Sequence, residues 1–108
     1  MIFFGWNQST LNSKSKETIS QARNVLARSN LLIAVYGYTD SSGDVKYNMR
    51  LSRRRAETVA AQLEAEGIPK SKLLVRSFGD AFELVRTQPG VREARNRRVE
   101  IYTTSIQP

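Results

Sequence analysis

The run Leu31-Leu32-Ile33-Ala34-Val35-Tyr36 constrains the fold most strongly. It is continuous, apolar and of strand length, and it lacks polar alternation. Both of its faces are therefore expected to be covered, as in a sheet with helices packed on it. Gly37 ends the run, and the polar loop Tyr38-Thr39-Asp40-Ser41-Ser42-Gly43 follows. Asp40 and the two serines can brace that turn through side-chain bonds to nearby backbone, while Gly43 relieves it. A helix is then predicted from about Lys46 to Glu66. Met49, Ser52, Ala56, Val59, Ala60 and Leu63 form its buried stripe. Gly67 is its expected C-terminal stop, and Ile68-Pro69 prevents continuation. Strand, loop and helix N-terminus in succession make a geometry that receives anions. Asp40 adds an acid, so a pocket there offers both signs of charge. A ligand with an ammonium and a carboxylate on one carbon suits it.

The flanking segments complete a layered pattern. Met1–Trp6 is apolar and aromatic and reads as a strand, central in the sheet for want of polar alternation. Ser13–Ser29 reads as an amphipathic helix with Asn12 or Ser13 as N-cap and Glu17 in its first turn. Leu11, Ser15, Ile19, Ala22 and Leu26 share one face, Val25 widens that stripe, and Asn30 stops the helix. Ser71–Phe78 is the next strand, with Leu73 and Val75 on one face. Residues 80–96 form a long connection around Pro89-Gly90, with one helical turn near Val91–Ala94. Arg97–Thr103 is the last strand, and Ser105–Pro108 is a polar tail. The order is strand–helix–strand–helix–strand–strand. That is an α+β fold: a two-layer α/β sandwich with helices on one face of a mixed four-stranded sheet. One domain is expected over 1–108, with its core over about 2–103.

Composition removes several functions. The 108 residues contain no cysteine, so a disulfide framework and thiolate metal ligands are excluded. Histidine is absent too, and with it the commonest general base and metal ligand. Ten acids spread among seventeen bases offer no dedicated calcium or magnesium cluster. No cofactor is therefore expected. No apolar run approaches a membrane span, and no signal peptide is visible. The chain reads either as cytoplasmic or, in preference, as a domain from a longer exported protein, with any membrane attachment outside it. The net charge of +7 favours polyanionic partners.

Helix geometry separates the arginines of the Arg53-Arg54-Arg55 run, because each residue turns by about 100°. Asn48 and Arg55, seven apart, share a face with Leu51 and Ser52 between them. Arg55 can thus reach the Asp40 loop, while Arg53 can pair with Glu57 one turn on. Residue types alone leave two readings of Asp40. It either caps its loop or pairs with Arg55, or it binds a ligand. Asn96-Arg97-Arg98 is similarly open. Alternation sets Arg97 with Val99 and Ile101, and Arg98 on the other side, without saying which arginine faces a pocket.

Thr39-Asp40 with Gly43, then Asn48, Leu51-Ser52, Arg55-Ala56, Phe78-Gly79 and Asn96-Arg97-Arg98-Val99-Glu100 closely resembles the OmpA-like peptidoglycan-binding domain. The resemblance runs from about Ile2 to Tyr102. It implies non-covalent binding of the cell-wall stem peptide through diaminopimelate, with the parent protein anchored to the wall of a Gram-negative periplasm. It places Asp40 on the ligand ammonium and Arg55, as a fork, on its carboxylate. Thr39 and neighbouring amides complete the carboxylate cradle. Asn48 and Leu51 line or brace the pocket, and Arg97 or Arg98 supports it. Three positions depart from the family pattern. Tyr38 stands where histidine or asparagine is usual. Phe4-Gly5-Trp6-Asn7 replaces an aspartate-bearing segment, and the proline usual after the Phe78-Gly79 pair is missing.

Two other functions are weighed against this one. The positive charge permits a nucleic-acid-binding module, but no known RNA or helix-turn-helix motif is present, so no nucleic acid is expected. A wall hydrolase needs a carboxylate pair, and no spacing among Asp40, Glu57 and Asp80 supports one. No catalytic residue is assigned.

Overall fold

The structure, a computed structural model, describes residues 1–104. The expected tail at 105–108 lies outside them. Four strands and two long helices alternate in chain order: β1 Ile2–Phe3, α1 Ser13–Leu26, β2 Leu32–Gly37, α2 Val45–Ala65, β3 Leu73–Ser77 and β4 Arg98–Thr104. Short 3₁₀ turns at Lys70–Lys72 and Ala94–Asn96 precede β3 and β4. The sheet order is β1-β4-β2-β3. β2 and β3 run parallel, with α2 as the crossover that such a pairing requires. β4 pairs antiparallel with both β1 and β2. Both helices pack on one face, so the mixed-sheet sandwich expected from the sequence is what forms.

β2 is buried as its apolar run demands, with Ile33 and Val35 fully inaccessible and Ala34 nearly so. Its Gly37 sits where α2 crosses closest: a Cβ there would lie 2.0 Å from the Ser52 carbonyl oxygen. Only glycine permits that approach. The core joins Ile2, Phe4, Ile19, Leu26, Ile33, Val35, Val59, Leu63 and Val99 between sheet and helices.

Several boundaries and faces differ from expectation. β1 is a two-residue edge strand rather than a central one, paired with β4 alone. Its aromatic neighbours serve other purposes: Phe4 enters the core, while Phe3 and Trp6 are about half exposed. α1 is capped by Asn12, whose side chain accepts from Ser15 N–H, and ends at Leu26, three residues early. Arg28 and Ser29 there donate to Val25 and Leu26, tightening the end into 3₁₀-type turns. Val25 falls outside the buried stripe at 71% exposed. β3 starts two residues late because Lys70–Lys72 make a 3₁₀ turn. The helical turn in the long connection lies at Ala94–Asn96 rather than Val91–Ala94. In α2, Met49 is exposed, while Asn48, Leu51, Ser52 and Arg55 turn inward ahead of Ala56, Val59, Ala60 and Leu63. A helix that buries Asn48, Ser52 and Arg55 in its first half needs polar partners for them, and those partners define the site.

Candidate functional site

β2 delivers the chain to Asp40 at the end of the sheet where α2 begins. Asp44 caps α2, accepting from Lys46 and Tyr47 N–H at 3.1 and 3.2 Å. Between them the loop folds back on itself. Asn48 Nδ2 donates to the Ser42 carbonyl at 2.9 Å and, at 3.5 Å, to that of Asp40. The long connection is drawn onto the same loop. Gly90 N–H donates to Ser41 Oγ, which in turn donates to the Gln88 carbonyl. Asn96, fully buried, pins that connection by exchanging two 2.8 Å bonds with the Val85 backbone.

These elements enclose a recess of about 40 Å³. Asp40, Ser42 and Gly43 line it from the loop, Tyr47, Asn48, Leu51 and Arg55 from α2, Trp6 and Asn7 from the N-terminal segment, and Arg97 from the start of β4. Gly43 has φ +88°, which suits glycine at this turn.

Asp40 is 3% exposed and fully engaged. Its Oδ1 accepts from Ser42 N–H and Oγ–H at 3.2 and 2.6 Å. Its Oδ2 accepts from Glu93 N–H at 3.1 Å and Arg97 Nη1 at 2.9 Å. Burial pushes its pKa up, but the bonds from Ser42, Arg97 and the Glu93 backbone outweigh that and hold it below the ordinary value. The ion-pair partner of Asp40 is therefore Arg97. The pairing with Arg55 that the sequence left open does not form.

Arg55 is 0% exposed and makes no salt bridge among the described residues. It donates instead to three backbone carbonyls: Gln8 from Nε at 2.7 Å, Tyr38 from Nη1 at 3.2 Å and Gly5 from Nη2 at 3.1 Å. Its guanidinium also lies 5.4 Å over the Phe4 ring. Burial lowers its pKa to about 10, with the field of Asp40 opposing and that of Arg97 assisting. It remains a cation at neutral pH, surrounded by neutral oxygens. Three of a guanidinium's five N–H donors are used among the described residues, which leaves two.

Arg97, just before β4, and Arg98, its first residue, separate completely. Arg97 lines the recess and also donates from Nε to the Phe4 carbonyl at 3.1 Å. Arg98 lies on the sheet face away from the helices. There it is buried, 3.9 Å over the Tyr38 ring and bonded to Glu100 at 2.6 Å. Tyr38 is stacked on Phe78 on that same far face, outside the recess. Burial and the Glu100 charge push its phenol up to about 12, so it stays neutral. Thr39 also lies outside the recess lining. Its N–H donates to the Gly79 carbonyl at 2.7 Å, and its buried Oγ1 has no hydrogen-bond partner among the described residues. Of the candidate residues, Asp40, Asn48, Leu51, Arg55 and Arg97 therefore converge, while Thr39 and Arg98 do not.

Residue types alone did not single out Trp6 or Tyr47 for the recess, and gave Ser42 only a turn-bracing role. Trp6 Nε1 donates to Ser42 Oγ at 3.2 Å, which anchors the hydroxyl that serves Asp40. Tyr47 OH donates to Asn7 Oδ1, and Asn7 adopts φ +56°. The sequence signal for Asn7 and Trp6 was the departure from the family's acidic first segment, which pointed at the right stretch. Among the described residues no group of three or more acids could hold a metal, and no helix is long and apolar enough to cross a membrane.

Known proteins share this architecture. The chain is 38% identical over 108 residues to an outer membrane protein of Gluconacetobacter diazotrophicus, covering 94% of this chain and 29% of that one. It is 32% identical over 98 residues to the peptidoglycan-associated lipoprotein of Buchnera aphidicola, covering 90% and 57%. The chain thus spans well under two thirds of either relative. The crystal structure of the peptidoglycan-associated lipoprotein from Burkholderia pseudomallei superposes with a TM-score of 0.87 over 95% of this chain and 88% of that one, at 22% identity. That likeness establishes the shared fold. The relatives are outer membrane and peptidoglycan-associated proteins rather than named enzymes, in keeping with a periplasmic envelope location. Residues 3–97 match the OmpA family, and with that stretch carrying both helices, β2, β3 and every side chain lining the recess, the chain belongs to it.

Proposed function

We propose that the recess binds the peptidoglycan stem peptide by the free end of diaminopimelate, and that the domain thereby anchors its parent protein to the cell wall. The observation that carries this reading is Arg55, a fully buried cation with no acidic partner that lines a recess. A buried, unpaired charge is costly, and an entering carboxylate supplies the missing counter-charge. The two spare guanidinium donors match a carboxylate bidentately. Asp40 is the negative pole. The ligand ammonium takes the place of the Ser42 hydroxyl on Oδ1, the one donor to that oxygen that a side-chain rotation removes. Arg97 holds the other oxygen, Asn48 keeps the loop closed, and Leu51 packs against the methylene chain of the ligand. Thr39 and Arg98 act from behind the site as structural support. A relative named for its association with peptidoglycan favours the same ligand class.

Charge-assisted bonds contribute about 1.5–3 kcal/mol each. Two or three of them, less the entropy of association, correspond to roughly micromolar to millimolar affinity for one stem fragment. Repetition along the wall strengthens attachment. The binding requires neither cofactor nor catalysis. Co-sedimentation with isolated sacculi tests it, using Arg55→Lys and Asp40→Asn with circular dichroism as the fold control. Both variants are expected to stay folded and to remain largely in the supernatant. If both are folded and sediment like the unaltered protein, the reading is wrong.

A further inference from the structure

Two aromatic side chains at the recess each carry an arginine that has no acid. Arg92 lies with its guanidinium carbon 3.6 Å from the centre of the Trp6 ring, and Arg54 lies 5.7 Å from that of Tyr47. Both arginines are exposed, and both rings line the recess. Among the described residues the arginine salt bridges are those of Arg53, Arg95, Arg97 and Arg98, so neither Arg92 nor Arg54 is neutralised.

Both rings are tethered before the ligand enters, Trp6 to the Ser42 hydroxyl and Tyr47 to Asn7, and once the ammonium displaces that hydroxyl Trp6 keeps its Arg92 stack. Arg92 immediately precedes Glu93, whose N–H holds Asp40 from the long connection. The backbone that closes the inner recess therefore also sets Arg92 at its mouth. Stacking on a ring restricts a long side chain while leaving the edge of its guanidinium open to an acceptor. Four arginines, Arg54, Arg55, Arg92 and Arg97, line the recess or stack on its lining, against one lining carboxylate, Asp40, with Asp44 at the α2 cap and the Arg95-paired Glu93 as the neighbouring acids. A ligand end bearing one ammonium and one carboxylate is neutral and leaves that excess in place.

We propose that Arg92 on Trp6 and Arg54 on Tyr47 form an outer anion subsite that takes a second carboxylate of the peptide whose diaminopimelate end occupies the recess. This rests on the function proposed above and extends it. The inner recess reads one zwitterionic end, and the outer arginines read an ionised carboxylate elsewhere on the same stem peptide. The outer contacts are exposed, so each is weak and sensitive to salt.

The test is calorimetric titration of the full chain at low salt with two diaminopimelate-containing stem peptides. One has every carboxylate free. In the other, the carboxylates outside the diaminopimelate side-chain end are amidated. The unaltered protein is expected to bind the free peptide about fivefold more tightly, the scale of a pair of exposed charge contacts. In Arg54→Ala/Arg92→Ala that preference is expected to vanish, and Arg92→Lys, which keeps the charge but not the planar stack, to restore only part of it. Equal binding of both peptides by the unaltered protein overturns the outer subsite and leaves the inner one standing. A preference that survives in the double variant also overturns it. If the unaltered protein binds neither peptide, the inner reading falls and the outer subsite with it.

Discussion

Two neighbouring arginines show how much a single position decides. Arg97 and Arg98 have the same chemistry, yet one faces the recess and the other is buried against Glu100 and Tyr38 on the far side of the sheet. Removing one partner of a buried pair strands the other, at a cost of about 3–5 kcal/mol. Arg98→Ala is therefore expected to lower the unfolding free energy in urea by about 3 kcal/mol, and a loss below 1 kcal/mol would contradict the assignment. Asp40 gives a pH signature. Its folded pKa lies below its ordinary value of 3.8, so its stabilisation is complete above 3.8 and is lost as pH falls through the lower folded value. Subtracting the acid denaturation profile of Asp40→Asn from that of the unaltered protein should isolate this limb. A difference that disappears above pH 5 would point to a raised pKa instead. The shared face of Asn48, Leu51 and Arg55 was legible in the helical period. The partner of Asp40 was not, because Arg97 lies 57 positions away and arrives only through the pairing of β4 with its neighbours.

At the scale of elements, α2 and β2 carry the site, and their contact at Gly37 fixes its geometry. A Cβ at Gly37 would meet the Ser52 carbonyl oxygen at 2.0 Å and the Ala56 Cβ at 3.2 Å. Ser52 Oγ in turn accepts from Gly79 N–H at 2.9 Å, so a displaced helix also disturbs the end of β3. Gly37→Ala is expected to cost about 3 kcal/mol, at the upper end for overpacking, and to weaken ligand binding through the shifted helix. An unchanged urea midpoint would show that the crossing is slack. Both helices and β2 were legible because apolar spacing and capping residues agree there. β1 was misplaced at the centre of the sheet because the apolar letters of Met1–Trp6 answer two demands at once. Ile2 and Phe4 fill the core, while Trp6 lines the recess. Met49 was expected in the buried stripe, but α2 turns so that Asn48 and Arg55 lie inward, Asn48 onto the polar loop and Arg55 onto the carbonyls of Gly5, Gln8 and Tyr38.

Across the whole molecule the net charge is +7, and the wall polymer proposed as its ligand carries carboxylates. Bulk attraction is screened within about 8–10 Å at physiological salt, whereas a buried pair is screened much less. Sacculus binding by the unaltered protein is thus expected to weaken with added salt but to persist at 0.5 M ionic strength. Complete loss by about 0.15 M, with equal affinity for an unrelated polyanion, would favour charge alone. The sandwich architecture followed from element order, and the charge balance from composition. Neither reveals that the acid of the recess is internally satisfied while its deepest base lacks an acidic partner, since that depends on how four separate segments meet. The central claim is that Arg55 and Asp40 together read the zwitterionic end of diaminopimelate. Titration of the protein with stem peptides that differ only in carrying diaminopimelate or lysine tests it most directly. Lysine keeps the ammonium and removes the carboxylate, so binding is expected to fall at least about tenfold, the equivalent of one charge-assisted contact. Equal affinity for the two peptides would contradict it.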